Sequence, residues 1–327
     1  MKRKTIIHVL LAGIILLSAC EKNTDIFVPD PGQLNGPDTS WQSTITTAMP
    51  VSNLKTSLLF DPYIDTIEVN NNIASVLTPF GVQVNFPANS CVSSTGQPVT
   101  GRVDVEIMLL KKKGDMIRQS KPTTYNDSLL VTAGEIFIIL KKNGLPVQLA
   151  PNAKINVRYT DIPTNQSMKL FVGDESNAQQ FNWLPVPIST NNILNVGTQN
   201  YEIYTNHLRW ISVSYGFDLG TVAKVNVTAS LAPYFTNANT VVFTVFKDFR
   251  SVAGMYGDIN TRKFSTGKLP VGKAITVVVI SKQANDYYLG FESAITATPT
   301  NGTGVQTVSV TPIKRSLPDI LYYLSTL

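Results

Sequence analysis

Val82-Gln83-Val84-Asn85-Phe86 and Val103-Asp104-Val105-Glu106-Ile107 are stretches in which apolar and polar side chains alternate. Successive side chains of a β-strand point to opposite faces of its sheet, so a period of two predicts strands with one buried face. The same alternation recurs at Ile155-Asn156-Val157-Arg158-Tyr159. We therefore expect sheets to dominate the fold.

Other segments are apolar without interruption, at residues 136–140, 241–246 and 275–280. They are short and rich in β-branched and aromatic residues, which is typical of strands buried on both faces. Asn143-Gly144 between two apolar runs predicts a hairpin turn, and Asn301-Gly302 predicts a second one less strongly.

A helix is expected only at the end of the chain. Ser316-Leu317-Pro318-Asp319 fits a capping box with proline in the first turn. The apolar residues that follow share one helical face, which predicts a short amphipathic helix packed on the sheet; they are Leu317, Ile320, Leu321, Leu324 and Leu327.

The fold class predicted from these patterns is all-β, with two β-sandwich domains and a short C-terminal helix. About 285 residues follow residue 40, more than the roughly 100 residues of one sandwich. Residues 191–199 are rich in Asn, Thr and Gly, and we place a boundary there. The domains are then 41–192 and 200–327, the second including the helix.

The first twenty residues resemble the signal peptide of a bacterial lipoprotein. Three cations lie in residues 1–4, an apolar run broken by His8 follows at 6–17, and Leu17-Ser18-Ala19-Cys20 resembles a lipobox. The resemblance implies cleavage between Ala19 and Cys20, a diacylglycerol on the Cys20 thiol and an acylated new amino terminus. The alternative is ordinary secretory cleavage, with Cys20 incidental.

Residues 21–40 predict an extended tether between the lipid anchor and the folded body. Residues 21–40 are rich in Asn, Asp, Pro and Gly, which is typical of a tether that can reach about 60 Å when extended. The apolar run at 6–17 is too short to span a bilayer, which needs about 20 residues. We expect the folded body beyond the inner membrane, on the outer membrane, facing the periplasm or the surface.

The charge gives no case for a nucleic-acid partner. The formal net charge of +5 falls to +2 when residues 1–19 are removed, because Lys2, Arg3 and Lys4 leave with no acid. Nucleic-acid binding needs clustered Lys and Arg. The tight cationic run at 111–113 is expected to be a charged strand end or loop.

One region resembles a ZU5 domain. Phe80-Gly81-Val82-Gln83-Val84-Asn85-Phe86-Pro87-Ala88-Asn89-Ser90 is similar to its opening glycine, alternating strand and proline turn. Residues 130–136, Asn143-Gly144 with Pro146-Val147, and the closing strand at 154–159 look like its later strands. ZU5 domains are protein-interaction modules, often followed by another β-sandwich, so the resemblance implies an interaction role.

The second half looks like an immunoglobulin-type sandwich without the disulfide, with strands expected at 223–231, 240–247, 274–281 and 305–311. Some ZU5 relatives cleave themselves at a Phe-Ser bond with the help of a nearby histidine. Phe264-Ser265 departs from that pattern, since it lies outside the matching region and His207 is remote in sequence. We expect no cleavage there.

Metal and thiol chemistry find little support. After processing, the chain keeps one histidine, His207, and one thiol besides the lipidated cysteine, Cys91. Zinc and copper sites of the His and Cys type need more ligands, so no metal and no cofactor is predicted. Cys91 is expected to be a small buried hydrophobe. Asp174-Glu175 with Asn177 leaves calcium open, with a solvated turn favoured.

The carboxylates and serines do not indicate an enzyme. Asp104 and Glu106 share one face of a strand, which is typical of a solvent-facing surface, although a hydrolase using an Asp/Glu pair remains an alternative. A Ser-His-Asp triad would have to use His207, and no Gly-x-Ser-x-Gly motif is present. Phosphate-binding glycine motifs are also absent.

Aromatic residues are the remaining candidates for binding, since exposed rings stack on sugars and dominate protein interfaces. Most such rings nevertheless fill cores. The candidates are Trp41, Trp183, Trp210, Tyr287 and Tyr288, with the Tyr322-Tyr323 pair beside them.

These observations predict a non-enzymatic, lipid-anchored cell-envelope protein that acts as a protein-interaction or scaffold module. Its partners would be the membrane, through lipid on Cys20, and an unknown protein or glycan. A glycan-binding accessory lipoprotein is the main alternative, and it requires outward aromatic residues grouped on one face.

Overall fold

The computed structural model describes residues 38–126, 128–177, 179–217, 223–298 and 304–327. The signal peptide, the cleavage position at Ala19 and Cys20, the tether up to residue 37 and the Asn301-Gly302 turn lie outside these residues. Strands predominate in the described part, which confirms the all-β class.

The strands of the first sandwich are β1 Tyr63–Val69, β2 Ala74–Leu77, β3 Val82–Phe86, β4 Cys91–Val92, β5 Gly101–Leu110, β6 Thr124–Tyr125, β7 Ser128–Lys142, β8 Leu145–Leu149, β9 Ile155–Thr160, β10 Lys169–Asp174, β11 Asn182–Pro185, β12 Ile193–Val196, β13 Asn200–Thr205 and β14 Arg209–Gly216. Those of the second are β15 Lys224–Ser230, β16 Thr240–Phe246, β17 Val252–Asp258, β18 Lys263–Pro270, β19 Ala274–Gln283, β20 Asp286–Ile295, β21 Val305–Ser309 and β22 Ile313–Arg315. The helices are α1 Pro50–Leu58, α2 Lys113–Arg118 and α3 Leu317–Ser325.

Two sheets form the first sandwich. Sheet I runs in the order β1-β5-β7-β14-β10-β11, with β4, β6 and β8 beside this path, and sheet II runs in the order β12-β13-β9-β3-β2. Alternate residues of both sheets meet in one buried core, including Val105 and Ile138 from sheet I and Val84, Val157 and Ile203 from sheet II. The alternation in the sequence thus marks the faces that meet.

Sheet III forms the second sandwich, in the order β21-β15-β18-β17-β16-β19-β20-β22. Strand β17 passes between its layers, since Val252 to Met255 pair with β16 and Tyr256 to Asp258 pair with β18. An immunoglobulin domain has strands A, B, E and D in one sheet and C, F and G in the other. If β15 to β20 are taken as strands B to G, the neighbours β15-β18-β17 and β16-β19-β20 correspond to B-E-D and C-F-G, and β17 in addition joins the layers through β16.

A third core, which we call the middle layer, lies between sheet I and sheet III. It contains residues from the outer face of sheet I, from sheet III and from all three helices. Its members include Leu110, Leu130, Phe171, Trp183 and Trp210 from sheet I, Phe243, Val278 and Ile280 from sheet III, and Leu54, Leu58, Met116, Ile117, Ile320 and Leu324 from the helices.

The C-terminal helix α3 is confirmed with its predicted start. The Ser316 side chain accepts a hydrogen bond from the Asp319 amide, and the capping box is complete. Ile320 and Leu324 are buried in the middle layer. A Cβ on Gly114 would lie 1.7 Å from the Leu324 carbonyl oxygen, so glycine permits the close approach of α2 to α3.

The predicted domain boundary at 191–199 is wrong. Strands β13 and β14 lie after it, yet β13 pairs with β9 in sheet II and β14 pairs with β7 in sheet I. The polar stretch is instead a hairpin, with the Gly197 amide donating to the Asn200 carbonyl. Moreover, residues 39–327 form one compact unit, because the middle layer joins the sandwiches.

Two helices were not predicted. Helix α1 has proline in its first turn and buries Val51, Leu54 and Leu58, a helical spacing within nine residues. Helix α2 begins at Lys113, so the cationic run is not wholly a strand end or loop. Hairpin residues Asn143 and Gly144 have φ of 52° and 78°, which confirms the predicted turn between β7 and β8.

Glu135 on β7 is a buried acid on the face of sheet I that meets the middle layer. Its side chain is fully buried, opposite Leu110 and Ser212 on the neighbouring strands, and neither carboxyl oxygen has a hydrogen-bond partner. Burial raises the pKa of Glu135 well above its usual value, although the Lys121 charge opposes the shift. The carboxyl therefore favours the protonated form in the folded state.

We predict that Glu135→Met raises the free energy of unfolding at pH 8 by about 1–3 kcal/mol, since it removes a buried acid without a partner. The folded state binds the Glu135 proton more tightly than the unfolded state. The wild-type chain should therefore gain stability as the pH falls toward the ordinary glutamate pKa, and the variant should lose that part of the slope.

Urea unfolding followed by circular dichroism from pH 5 to pH 8 measures both quantities. Glu292→Met, at an exposed position on β20, is the matched control and should leave the pH slope unchanged. A Glu135→Met variant that is less stable at pH 8 would contradict the burial argument.

Candidate functional site

A groove lies between helix α1 and sheet III. Its volume is 370 Å³, and it is lined by residues 45–47 and α1 on one side, by residues from β16 and β17, and by the loops around Pro122 and Phe181. This volume falls in the range of about 300–1,000 Å³ that small-molecule sites occupy. The groove is therefore large enough for an organic ligand.

The wall formed by α1 follows from helical spacing. Val51, Ser52 and Lys55 line the groove, and Lys55 is four positions after Val51 and three after Ser52, which are spacings that share a helical face. The helix is held in place at both ends. The Val51 amide donates to the Ala238 carbonyl at 2.9 Å, and the hydroxyls of Ser57 and Tyr287 lie 3.1 Å apart.

The floor of the groove is apolar. Val241 and Phe243 are two residues apart on β16 and lie on the same face, toward the groove and the middle layer. Gly254 on β17 is paired with Phe243 on that face, whereas Met255 is paired with Val242 and belongs to the core of the second sandwich. The side chains of Val241 and Phe243 are mostly removed from solvent. An apolar ligand surface would lose contact with water here, which is the main source of affinity in such sites.

Tyr256 on β17 also lines the groove. Burial raises the pKa of its hydroxyl to about 12, so the ring is neutral at physiological pH. A Cβ on Gly254 would lie 2.8 Å from the Tyr256 hydroxyl oxygen, so glycine leaves space for this ring. The phenol therefore offers a hydrogen bond without adding charge.

Lys55 is the charged residue of the groove. None of the other described lining residues is ionised at neutral pH. Burial lowers the pKa of the Lys55 ammonium, and within the described residues no hydrogen bond or ion pair to its side chain is found. The groove thus combines an apolar floor with one desolvated cation.

The five predicted binding aromatics do not share an exposed face. Trp183 is 0% and Trp210 is 3% exposed, so both rings lie in the core. The Trp183 indole donates to the Pro122 carbonyl at 3.0 Å. Tyr287 contacts Ser57 on α1, and Tyr288 packs edge-on against Phe235 at 5.7 Å between ring centroids.

Trp41 is the predicted aromatic that does border a cavity. Its ring lies 5.0 Å from Phe264, and it lines a second cavity of 350 Å³ with the exposed residues Arg262 and Lys263. Phe264 borders both cavities and separates them. The glycan alternative therefore keeps Trp41 but loses the two buried tryptophans.

The predicted acidic pairs are engaged in structural contacts. The ammonium of Lys141 lies 2.5 Å from the Glu106 carboxylate, and Thr66 donates to Asp104. Glu175 pairs with both Lys121 and Arg209. Within the described residues, no group of three or more His, Cys, Asp and Glu is arranged to hold a metal ion.

The remaining candidates lie in separate places. Cys91 is 1% exposed, as predicted, and burial raises the pKa of its thiol. His207 follows β13, and burial lowers the pKa of its ring. The Phe264-Ser265 bond lies inside β18, where the Ser265 and Thr228 hydroxyls are 3.0 Å apart.

None of the helices in the described ranges is long and apolar enough to cross a membrane. Models of known protein families give no match to the sequence, and the curated proteins contain no match. The candidate site therefore rests on its own geometry.

Sequence reasoning missed the groove and Lys55. The signal available was Pro50-Val51-Ser52-Asn53-Leu54-Lys55, in which proline precedes apolar residues three apart. That pattern identifies a short helix, but not the strands beneath it. The floor comes from residues that are almost 200 positions later in the chain.

We predict that the ε-methylene resonance of Lys55 titrates below the usual lysine range, because its ammonium is desolvated without a counter-charge. Heteronuclear NMR on labelled lysines measures this shift, and Lys55→Met assigns the resonance by its loss. Titration of Lys55 together with exposed lysines would contradict the described environment.

Proposed function

We propose that this chain is a non-enzymatic, lipid-anchored binding protein of the bacterial cell envelope, and that the groove under α1 is its binding site. The observation that carries the proposal is the groove itself, with an apolar floor, neutral polar groups at its sides and one desolvated cation. Such a site can hold and orient a ligand. Its described side chains include no nucleophile paired with a general base.

The anchoring part of the proposal rests on the lipobox-like Leu17-Ser18-Ala19-Cys20. Two or more acyl chains make a stable anchor, whereas one chain binds only marginally. The tether at residues 21–40 would let the body work at a distance from the headgroups. Confinement at a membrane raises the effective concentration of the site for partners there.

Anchoring predicts that Cys20→Ser moves the protein from the membrane fraction to the soluble fraction, because the acceptor thiol is lost. Cell fractionation with metabolic fatty-acid labelling measures both location and lipid. Cys91→Ser is the matched control, since this buried thiol should not be lipidated. If the Cys20→Ser variant stays in the membrane fraction and its fatty-acid labelling is unchanged, lipid anchoring through Cys20 is rejected.

If the groove binds apolar ligands, the fluorescence of the neutral apolar dye Nile red should increase when the protein is added. Val241→Phe extends a ring from the floor, so it should remove most of this signal while the unfolding transition stays close to wild type. Leu77→Phe enlarges an exposed apolar residue on the edge strand β2 and should change nothing. Equal dye binding by all three chains would reject the groove as the site.

A further inference from the structure

We propose that the groove binds an amphipathic carboxylate, with the head group on the Lys55 ammonium and the alkyl body along Val241 and Phe243. This inference rests on the proposed function and names the ligand class of the same site. The residues that carry it are the cation of the wall and the apolar side chains of the floor.

The sign of the charge selects the head group. Among the described lining residues, Lys55 carries the charge and no Asp or Glu compensates it. Lys55 is partly buried, and partial desolvation disfavours an ammonium without a partner. An anion placed against it recovers part of that cost. A cationic head group would instead be repelled by the Lys55 ammonium. A neutral head group would leave that ammonium without a counter-charge.

The polar neighbours favour a small head group. The Ser52 hydroxyl already donates to the Thr46 carbonyl at 2.8 Å, so it remains an acceptor rather than a free donor. Tyr256 lines the same groove with a protonated phenol. Together with Lys55, these few donors suit one carboxylate better than the many hydroxyls of a sugar.

The floor selects the body of the ligand. An apolar chain on this floor gains about 0.8 kcal/mol for each buried methylene, which corresponds to about fourfold in affinity. A volume of 370 Å³ limits how many methylenes can be buried. Affinity should therefore rise with chain length and then level off.

Titration calorimetry of the full chain carrying Cys20→Ser, which needs no detergent, tests the assignment. The probes are hexanoate, octanoate and decanoate, compared with decanol and decyltrimethylammonium. We expect about fourfold tighter binding per added methylene until the groove is full, and decanoate should bind more tightly than either comparison ligand.

The decisive variant is Lys55→Met, which keeps the apolar stem and removes the charge. It should weaken decanoate binding about tenfold or more and leave decanol unchanged, since hydrogen bonds to charged groups contribute about 1.5–3 kcal/mol. Lys55→Arg should retain the preference for decanoate. Lys268→Met, at an exposed position on β18, is the matched control and should behave as wild type.

Equal weakening of decanoate and decanol by Lys55→Met, or equal binding of decanoate and decyltrimethylammonium, would overturn the carboxylate assignment. If Nile red still binds to the wild-type chain and Val241→Phe still removes that binding, the groove remains the binding site and only the carboxylate assignment is rejected. If neither the dye nor any alkyl probe binds, both the proposed function and this inference fail.

Discussion

Sheet I is apolar on both faces, and the rest of the structure depends on covering both. Its central strand β7 runs for fifteen residues, with Ile136, Ile138 and Leu140 facing sheet II and Leu130 and Phe137 facing the middle layer. A sheet buried on two sides needs a cover on each. Sheet II covers one face, and sheet III with three helices covers the other, so the two sandwiches form one unit.

The middle layer also contains charged groups, and its contacts show how they are accommodated. Lys121 places its ammonium 4.0 Å from the Phe181 ring centroid and 5.0 Å from that of Trp210 while it pairs with Glu175. Glu135 has no hydrogen-bond partner. Arg250, from the second sandwich, donates to the Ala133 carbonyl of β7 at 2.8 Å. Such contacts fix how the sandwiches meet, in addition to apolar packing.

The groove is a consequence of the same packing. Helix α1 comes early in the chain but packs against β16 and β19, so it crosses from the first sandwich to the second. A short helix cannot cover a flat sheet completely, and the uncovered part of sheet III next to α1 becomes the floor. Lys55 lies at this boundary because it follows Val51 and Leu54 on the edge of the buried face.

Local patterns predicted much of the fold correctly. The strands at Val82–Phe86 and Ile155–Thr160, the Asn143-Gly144 turn and the capped helix α3 all depend on interactions within a few residues. Residues 191–199 predict a domain boundary although they belong to the β12–β13 hairpin, because turns and interdomain segments share a composition of Asn, Thr and Gly. Trp183 and Trp210 were candidates for exposure because sequence alone does not show which face of a strand is covered.

The sequence by itself determined the strand periodicity, the turns, the capped C-terminal helix and the lipobox-like start, since each is carried by neighbouring residues. Only the tertiary structure decided that sheet I has two covered faces, that α1 crosses to sheet III, and that Lys55 meets an apolar floor. These features join residues such as Lys55 and Val241 that are far apart in the chain. No local periodicity encodes that contact, because it arises when three sheets bury their apolar faces together.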